Sequence, residues 1–515
     1  MPQVKHFDVI IIGTGAGGGT LAYALSLLGK DILLIERGGY LPREKDNWDT
    51  RAVFIDKKYR SQETWYDEKG QAHSSPTNYC VGGNTKFYGS ALMRFRAEDF
   101  GKLVHHDGIS LAWPLSYEDF EPYYTQAEYL YHVHGLRGVD PTEPPASSPY
   151  PYPMVSHEPR IQKLFDDFCQ LGYQPFPLPL GIMLNEADLQ TSSCIRCNTC
   201  GGFPCLLAAK ADAHTVCVQP ALQNANVTLI TDAFVQRLET NASGREVTKI
   251  HVERNGILEE YSAAIVVVAC GAINSAALLL RSANEKHPHG LANGSGVVGR
   301  HYMRHTNSSF IAISREPNPT VFQKTFGLND FYFGTDDWKY PMGNIQLLGK
   351  STPELLEAEL LPSMLGITED TIAKNGIDFC LVTEDLPEPD NRVTLNSKGE
   401  ITLRYAVNNL TAHKQLINKF EGMLSQIGCE DYLIPSSLYV GKKVSLAGIN
   451  HQCGTIRFGN DSQTSALDIN CKAHELDNLY VVDASFFVSS AAVNPALTII
   501  ANALRVADHL KDRLQ

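Results

Sequence analysis

The chain has 515 residues, 43% of them apolar and 20% charged, with a formal net charge of −13. That length exceeds a single compact core and predicts two domains, and the composition is that of an ordinary soluble globular protein. The acidic balance excludes nucleic acid as a partner, because nothing would neutralise its phosphates. There is no lysine or arginine run, no low-complexity tract and no internal repeat. Met1 leads almost directly into an apolar run, with no room for a charged region followed by a hydrophobic leader, which predicts a cytoplasmic protein. Twelve cysteines without a secretory signal point to reduced thiols or bound metal before disulfides.

Asp8-Val-Ile-Ile-Ile12 predicts a short buried strand that breaks at Gly13. Gly13, Gly15 and Gly18 then spell G-x-G-x-x-G. Gly13 permits a tight turn, Gly15 lets backbone approach a pyrophosphate, and Gly18 lets the following helix, residues 18–28, pack on the strand. The N-terminus of that helix offers free N–H groups and a positive dipole end to a phosphate. A second strand, residues 31–35, ends at Glu36, where a carboxylate can accept both ribose hydroxyls. Together these predict a dinucleotide site.

A second glycine-rich loop, Val81-Gly-Gly-Asn-Thr-Lys-Phe-Tyr-Gly-Ser90, suits close approach to a flat ring system. Cys194, Cys197, Cys200 and Cys205 then crowd four cysteines into twelve residues. A structural zinc site separates two close pairs by a longer loop, which this run does not do. Its spacing is nearer an iron–sulfur run, although the last gap is four residues and Pro204 precedes the final cysteine. The reading taken is no bound metal, with thiols or a disulfide bracing the loop, and a cluster on these four cysteines as the alternative. Residues 263–280 form the most apolar stretch. Gly271, Asn274 and Ser275 within it predict strand, turn and helix, not a membrane span. Asn391-Arg-Val-Thr-Leu395 and Glu400-Ile-Thr-Leu-Arg-Tyr405 predict a hairpin, and the stretch after Ile377 is ambiguous. At the C-terminus a strand over 479–482 leads through Asp483 to a final helix, with Asn494 as its N-cap and Pro495 at the first helical position.

These segments, in this order, resemble the glucose–methanol–choline (GMC) oxidoreductases, FAD enzymes that oxidise alcohols. Gly271-Ala-Ile-Asn-Ser-Ala-Ala-Leu-Leu-Leu-Arg-Ser282 is similar to the second family signature, departing from it at Ala276 and at Ala283-Asn284. Trp113-Pro-Leu-Ser-Tyr-Glu-Asp-Phe-Glu-Pro-Tyr-Tyr124 and Val298-Gly-Arg-His-Tyr-Met-Arg-His305 also look like family segments, and His451-Gln-Cys-Gly-Thr-Ile-Arg-Phe-Gly459 resembles the loop that carries the catalytic histidine. The resemblance implies an α/β fold, with a Rossmann-like FAD domain and an α+β substrate domain whose antiparallel sheet roofs the cavity. The FAD domain is placed at 1–105, 206–310 and 440–515, and the substrate domain at 106–205 and 311–439.

By the same resemblance Gly13, Gly15, Gly18 and Glu36 hold the ADP half of FAD, and Val235 meets adenine through its backbone. Gly82, Gly83 and Asn84 begin the loop along the isoalloxazine, while Gly271, Asp483, Asn494 and Pro495 complete the cofactor site. Some relatives bond a loop histidine to the flavin; the matching position is Phe87, so the FAD is expected to be non-covalent. His451 is the expected base, with Asn494 donating a hydrogen bond to the developing alkoxide, and Asn450 reads as structural. The aromatic stretch Phe322, Phe326, Phe331, Tyr332 and Phe333 either meets substrate or belongs to the core. The implied reaction is oxidation of a small-molecule alcohol, a sugar or polyol, with O2, a quinone or a redox protein as electron acceptor. An iron–sulfur cluster would imply one-electron transfer onward. The alternative is a lyase or decarboxylase of the same fold; a non-catalytic flavin-binding protein fits least, because His451 and Asn494 are both present.

Overall fold

The computed structural model describes residues 5–75, 77–359, 368–427, 433–435 and 451–515. Asn450 lies outside them. Two large sheets organise the chain. The first has seven strands, in the order Val227–Ile230, Ile32–Ile35, Lys5–Ile12, Ile257–Val268, Val247–Arg254 and Ala233–Thr240, with Leu479–Val481 also pairing with Ile257–Val268. The first four of these and the C-terminal strand pair in parallel, and the remaining two continue as an antiparallel meander. Strand Ile257–Val268 belongs to both arrangements, since residues 257–261 face the meander and 266–268 face the C-terminal strand. Parallel strands are covered on both faces and therefore read as unbroken apolar runs. Val9, Ile10, Ile11, Ile32, Leu34 and Val266 to Val268 are all fully buried.

The first helix is Ala16–Leu25, continued by a 3-10 turn at Ser26–Leu28, so it begins two residues before the sequence expectation, with Gly15 at its cap. The apolar stretch 263–280 resolves as the end of a buried strand, a turn at Gly271 and the helix Ala272–Arg281. Among the described residues no helix is long and apolar enough to cross a membrane.

The second sheet is antiparallel, in the order Leu433–Pro435, Thr306–Ile313, Gly376–Thr383, Asn344–Leu347, Phe326–Leu328 and Pro175–Pro177. The ambiguous stretch after Ile377 is one of its inner strands. Successive side chains on a strand face opposite ways. Phe310, Ile345, Leu347, Ile377, Phe379 and Leu381 form a core with Leu416, Phe420 and Met423 of helix Leu410–Gln426 and with Ile161, Leu164 and Phe168 of helix Pro159–Gln170. Their neighbours Asn307, Ser309, Ile311, Gln346, Asp378 and Cys380 turn the other way, into a cavity between this sheet and the strand ends of the first. Phe322, Phe326, Phe331 and Tyr332 are buried in the cores, and Phe333 packs against them. None of the five lines the cavity. The hairpin strands Arg392–Leu395 and Ile401–Arg404 pair antiparallel and extend into a small sheet with Thr64–Asp67 and Ala72–Ser74.

Phe379 and Phe420 meet edge to face with ring centroids 4.8 Å apart. Replacing Phe420 by alanine is expected to cost about 3–5 kcal/mol of stability, the range for deleting a buried aromatic. A denaturant midpoint that does not move would show that this face of the sheet does not depend on the helix.

Candidate active site

A cavity of about 1090 Å³ opens where the parallel strands end. Gly13, with φ +102°, turns the chain out of the first strand; a Cβ there would lie 2.3 Å from the carbonyl oxygen of Ala269. Gly15 lines the cavity, and a Cβ there would meet nothing within 4 Å. The first turn of its helix carries no acidic residue, so its positive end is open to an anion. Gly18 does not line the cavity. A Cβ on it would sit 2.0 Å from the Gly13 carbonyl oxygen, which is the helix–strand packing expected of the third glycine. Gly17, given no role by sequence, is under the same constraint, 2.2 Å from the carbonyl oxygen of Val482.

Glu36 lines the cavity at the end of its strand and is held by Thr14. The Thr14 amide and hydroxyl both donate to Oε2, at 3.0 and 2.6 Å, and the Gly38 amide donates to Oε1 at 3.1 Å. One acceptor direction on Oε1 remains for a ligand hydroxyl. Burial raises the Glu36 pKa, against the pull of these donors. The Thr14 hydroxyl also accepts the Gly82 amide at 3.0 Å, so one threonine ties the second glycine loop to the acid. Gly82 itself, with φ +93°, stays off the cavity wall, while Gly83, Asn84, Phe87 and Gly89 line it. The Asn84 side-chain oxygen is engaged by Asn78, at 3.0 Å from its amide. Val235 lines the cavity just before a bulge that interrupts its strand pairing.

Gly271, with φ +86°, caps the helix that follows it, and its amide donates to Asp483 Oδ2 at 2.9 Å. The Ser275 hydroxyl also donates to Oδ2, and the Ser485 amide and hydroxyl donate to Oδ1. Asp483 thus lines the cavity with its acceptor directions already taken by protein. Thr77 Oγ1 and Ser90 Oγ are buried in the wall with no partner among the described residues. An open helix N-terminus, a carboxylate with one free direction and orphaned hydroxyls suit a dinucleotide carrying a flat polar ring.

Cys194, Cys197, Cys200 and Cys205 are free thiols, and no group of three or more His, Cys, Asp or Glu among the described residues is arranged to hold a metal ion. Cys205 Sγ accepts from the Ala209 amide and Cys197 Sγ from the Thr199 hydroxyl, while Cys194 is buried in the main core. The buried ammonium of Lys210 braces the loop instead, donating to the carbonyls of Cys200 at 2.8 Å and Phe203 at 2.9 Å.

His451 and Asn494 face each other across the cavity wall, with Asn494 Nδ2 3.3 Å from His451 Nε2. The final helix is Ala496–Leu514 with Pro495 as its cap, one residue later than expected. The Asn494 side chain is therefore not spent on capping. Its Oδ1 accepts from Gln346 Nε2 at 3.1 Å, which aims the amide N–H at the histidine. Behind His451 stands His305, which sequence reading had left without a role. His305 Nε2 lies 3.0 Å from the Ser490 carbonyl oxygen, and its Nδ1 lies 3.0 Å from His451 Nδ1. A carbonyl only accepts, so His305 carries its proton on Nε2 and its Nδ1 must accept. His451 then carries its proton on Nδ1, leaving the Nε2 lone pair in the cavity beside Asn494. Burial lowers the pKa of His305, and burial, then His305, then Lys324, holds His451 well below the usual histidine value. His305 and Ala491 both have positive φ, at 66° and 52°, strain of the kind that gathers at working sites.

The match to GMC oxidoreductase family models covers residues 7–307 and 387–503. The chain is 31% identical to 6'''-hydroxyparomomycin C oxidase of Streptomyces lividus, covering 98% of this chain and 92% of that protein. It is 29% identical to paromamine 6'-oxidase of Streptomyces fradiae, covering 98% and 91%. Formate oxidase of Aspergillus oryzae RIB40, in a structure of its R554A variant, shares the fold at a TM-score of 0.69 and 14% identity, covering 99% of this chain and 98% of that one. The chain belongs to the GMC oxidoreductases and is an enzyme of that family, acting on CH–OH groups.

Proposed function

We propose that the cavity holds FAD non-covalently and that the protein oxidises a CH–OH group of a sugar, polyol or similar metabolite, with His451 as the base. The observation that carries this reading is the tautomer of His451, whose unprotonated Nε2 faces the cavity beside a donor amide. An alcohol is too weak an acid to ionise unaided at neutral pH, so a positioned base is needed. His451 Nε2 takes the hydroxyl proton, and the imidazolium formed keeps its Nδ1 proton hydrogen-bonded to His305. Asn494 Nδ2–H is placed to donate to the developing alkoxide. FAD, when bound, supplies the acceptor for the hydride leaving the alcohol carbon. Gly15, the Ala16–Leu25 helix and Glu36 would hold its ADP half, and Gly83 to Gly89 its ring. Asn307 Oδ1 and Gln346 Oε1, buried in the cavity wall without partners among the described residues, are free to accept from further substrate hydroxyls.

Acid precipitation is expected to release the flavin into the supernatant, because Phe87 offers no atom for a covalent bond; colour left in the pellet would overturn non-covalent binding. In the Gly15→Ala variant the apoprotein should melt as wild type does while FAD content falls, since the added methyl enters only the space of the phosphates. Gly18→Ala should instead lose stability, by about 1–3 kcal/mol or more, because its Cβ meets backbone.

His451→Ala is expected to slow anaerobic flavin reduction by about 10²–10⁴-fold with FAD retained. Asn494→Ala should slow it less and, with the cap at Pro495, leave the helix intact. The base works only when neutral, so activity is lost as pH falls through its pKa. Because that pKa is held below 6.5, the rate should be flat through neutrality and drop only on the acid side of 6.5. An acid limb above 6.5, or an alanine variant reduced at the wild-type rate, would assign the proton to another group. Readmitting air to the reduced enzyme separates O2 from a quinone or redox protein as acceptor.

A further inference from the structure

Lys324 enters the cavity half-buried, and among the described residues its ammonium makes no hydrogen bond and no ion pair. Gly89 leaves the room for it, since a Cβ there would lie 2.4 Å from Lys324 Nζ. Arg37 pairs with Glu63 at 3.1 Å, Arg281 donates to the Gly399 carbonyl at 3.1 Å, and Lys350 donates to the Asn318 carbonyl, while Lys57 is exposed to solvent. The carboxylates of the wall are engaged too. Asp378 takes Ser351 and Gln323, Asp483 takes Gly271, Ser275 and Ser485, and Glu36 takes Thr14 and Gly38. The groups that act on Lys324 are Cys200, Cys380 and Lys210, and it acts in turn on His451. Both thiols are kept protonated by burial, and Lys210 is a cation already satisfied by carbonyls. An ammonium half withdrawn from water without a counter-charge is unfavourable, and a cavity wall that presents one suits an anion.

We propose that Lys324 receives the carboxylate of the substrate, so that the alcohol oxidised belongs to a hydroxylated carboxylic acid. This rests on the reading of His451 and Asn494 as an alcohol-oxidising pair. The carboxylate makes and breaks no bond; it fixes the molecule while Asn307, Gln346 and Asn494 meet its hydroxyls. A monoanion matches one ammonium, whereas a phosphate dianion would leave a second charge uncompensated in the same dry space. The ammonium lies against Gly89, in the wall of the cavity that His451 and Asn494 also line.

The test uses the FAD-loaded enzyme and Lys324→Met, which keeps the length of the side chain and removes its charge. Linear monocarboxylates from butyrate to hexanoate, which have no alcohol to oxidise, are titrated against the flavin absorbance. D-gluconate and D-glucitol are compared in anaerobic flavin reduction. The wild type should bind a monocarboxylate, and Lys324→Met should weaken that binding about 10–100-fold, the range for a charge-assisted hydrogen bond; Lys324→Arg should restore most of it. The variant should lose kcat/KM on gluconate by a similar factor while losing none of its rate on glucitol. Equal losses on both substrates would overturn the proposal and assign Lys324 to the flavin's surroundings. Failure of the wild type to bind any monocarboxylate would also overturn it, even if neutral alcohols bleach the flavin. Monocarboxylate binding that depends on Lys324 with no bleaching by any alcohol would keep the anion site and refute the alcohol oxidation on which the reading rests.

Discussion

Five strand ends lie in one line. Ile230 is in register with Ile35, Ile35 with Ile12, Ile12 with Val268 and Val268 with Val481. In a parallel sheet the backbone hydrogen bonds fix that alignment, and the chain leaves every strand at the same edge. The residues that follow each end therefore meet: Gly13 after the first strand, Glu36 after the second, Gly271 and Asp483 shortly after the two C-terminal partners. Segments separated by as many as 212 positions are then locked by single groups. Asp483 bonds the Gly271 amide, and Thr14 joins Glu36 to the Gly82 amide. Because every lock is a hydrogen bond between buried groups, breaking one partner leaves the other unsatisfied, which makes the edge cooperative.

The proposed reacting pair depends on a second constraint, the Ser490 carbonyl. It cannot donate, so it settles the proton on His305, and His305 settles the proton on His451. A histidine in a flexible loop would sample both tautomers and spend part of its time with a proton facing the alcohol. Here the wrong tautomer would set two N–H groups against each other in a buried site. His305 itself holds a positive φ, backbone strain of the kind that gathers at working sites.

What the sequence made legible was what local chemistry determines. The glycine pattern, the buried β-branched runs and the acid after the second strand carry their meaning within a few residues, and the parallel sheet follows from them. The cap of the last helix was misplaced by one residue because Asn494 is a good cap in isolation, whereas Gln346 and His451 compete for its amide in the fold. The aromatic stretch could not be assigned from spacing, since only the period of the strand and the position of the covering helices decide which face is core. The cysteine run resembled a ligand set in order but not in space, because Lys210 pins its carbonyls and the sulfurs turn to separate neighbours. His305 was invisible as a functional residue, since its role arises from a contact across 146 positions.

Charge ties the two inferences together. The chain is acidic overall, at −13, yet the carboxylates of the cavity wall are held by protein donors and Lys324 stands free among the described residues. Its ammonium works against His451, adding to the burial that keeps that imidazole unprotonated. In the empty site this favours the neutral base but weakens it, because the same field opposes the imidazolium that must form. A carboxylate seated on Lys324 cancels much of that field, and in a low-dielectric cavity the cancellation is large compared with its value in water. The base would then be strongest when the proposed substrate is in place and weaker towards water or a neutral molecule. Binding energy from a group remote from the reacting carbon would in this way be used for the proton transfer, which distinguishes a substrate from an alcohol that merely fits.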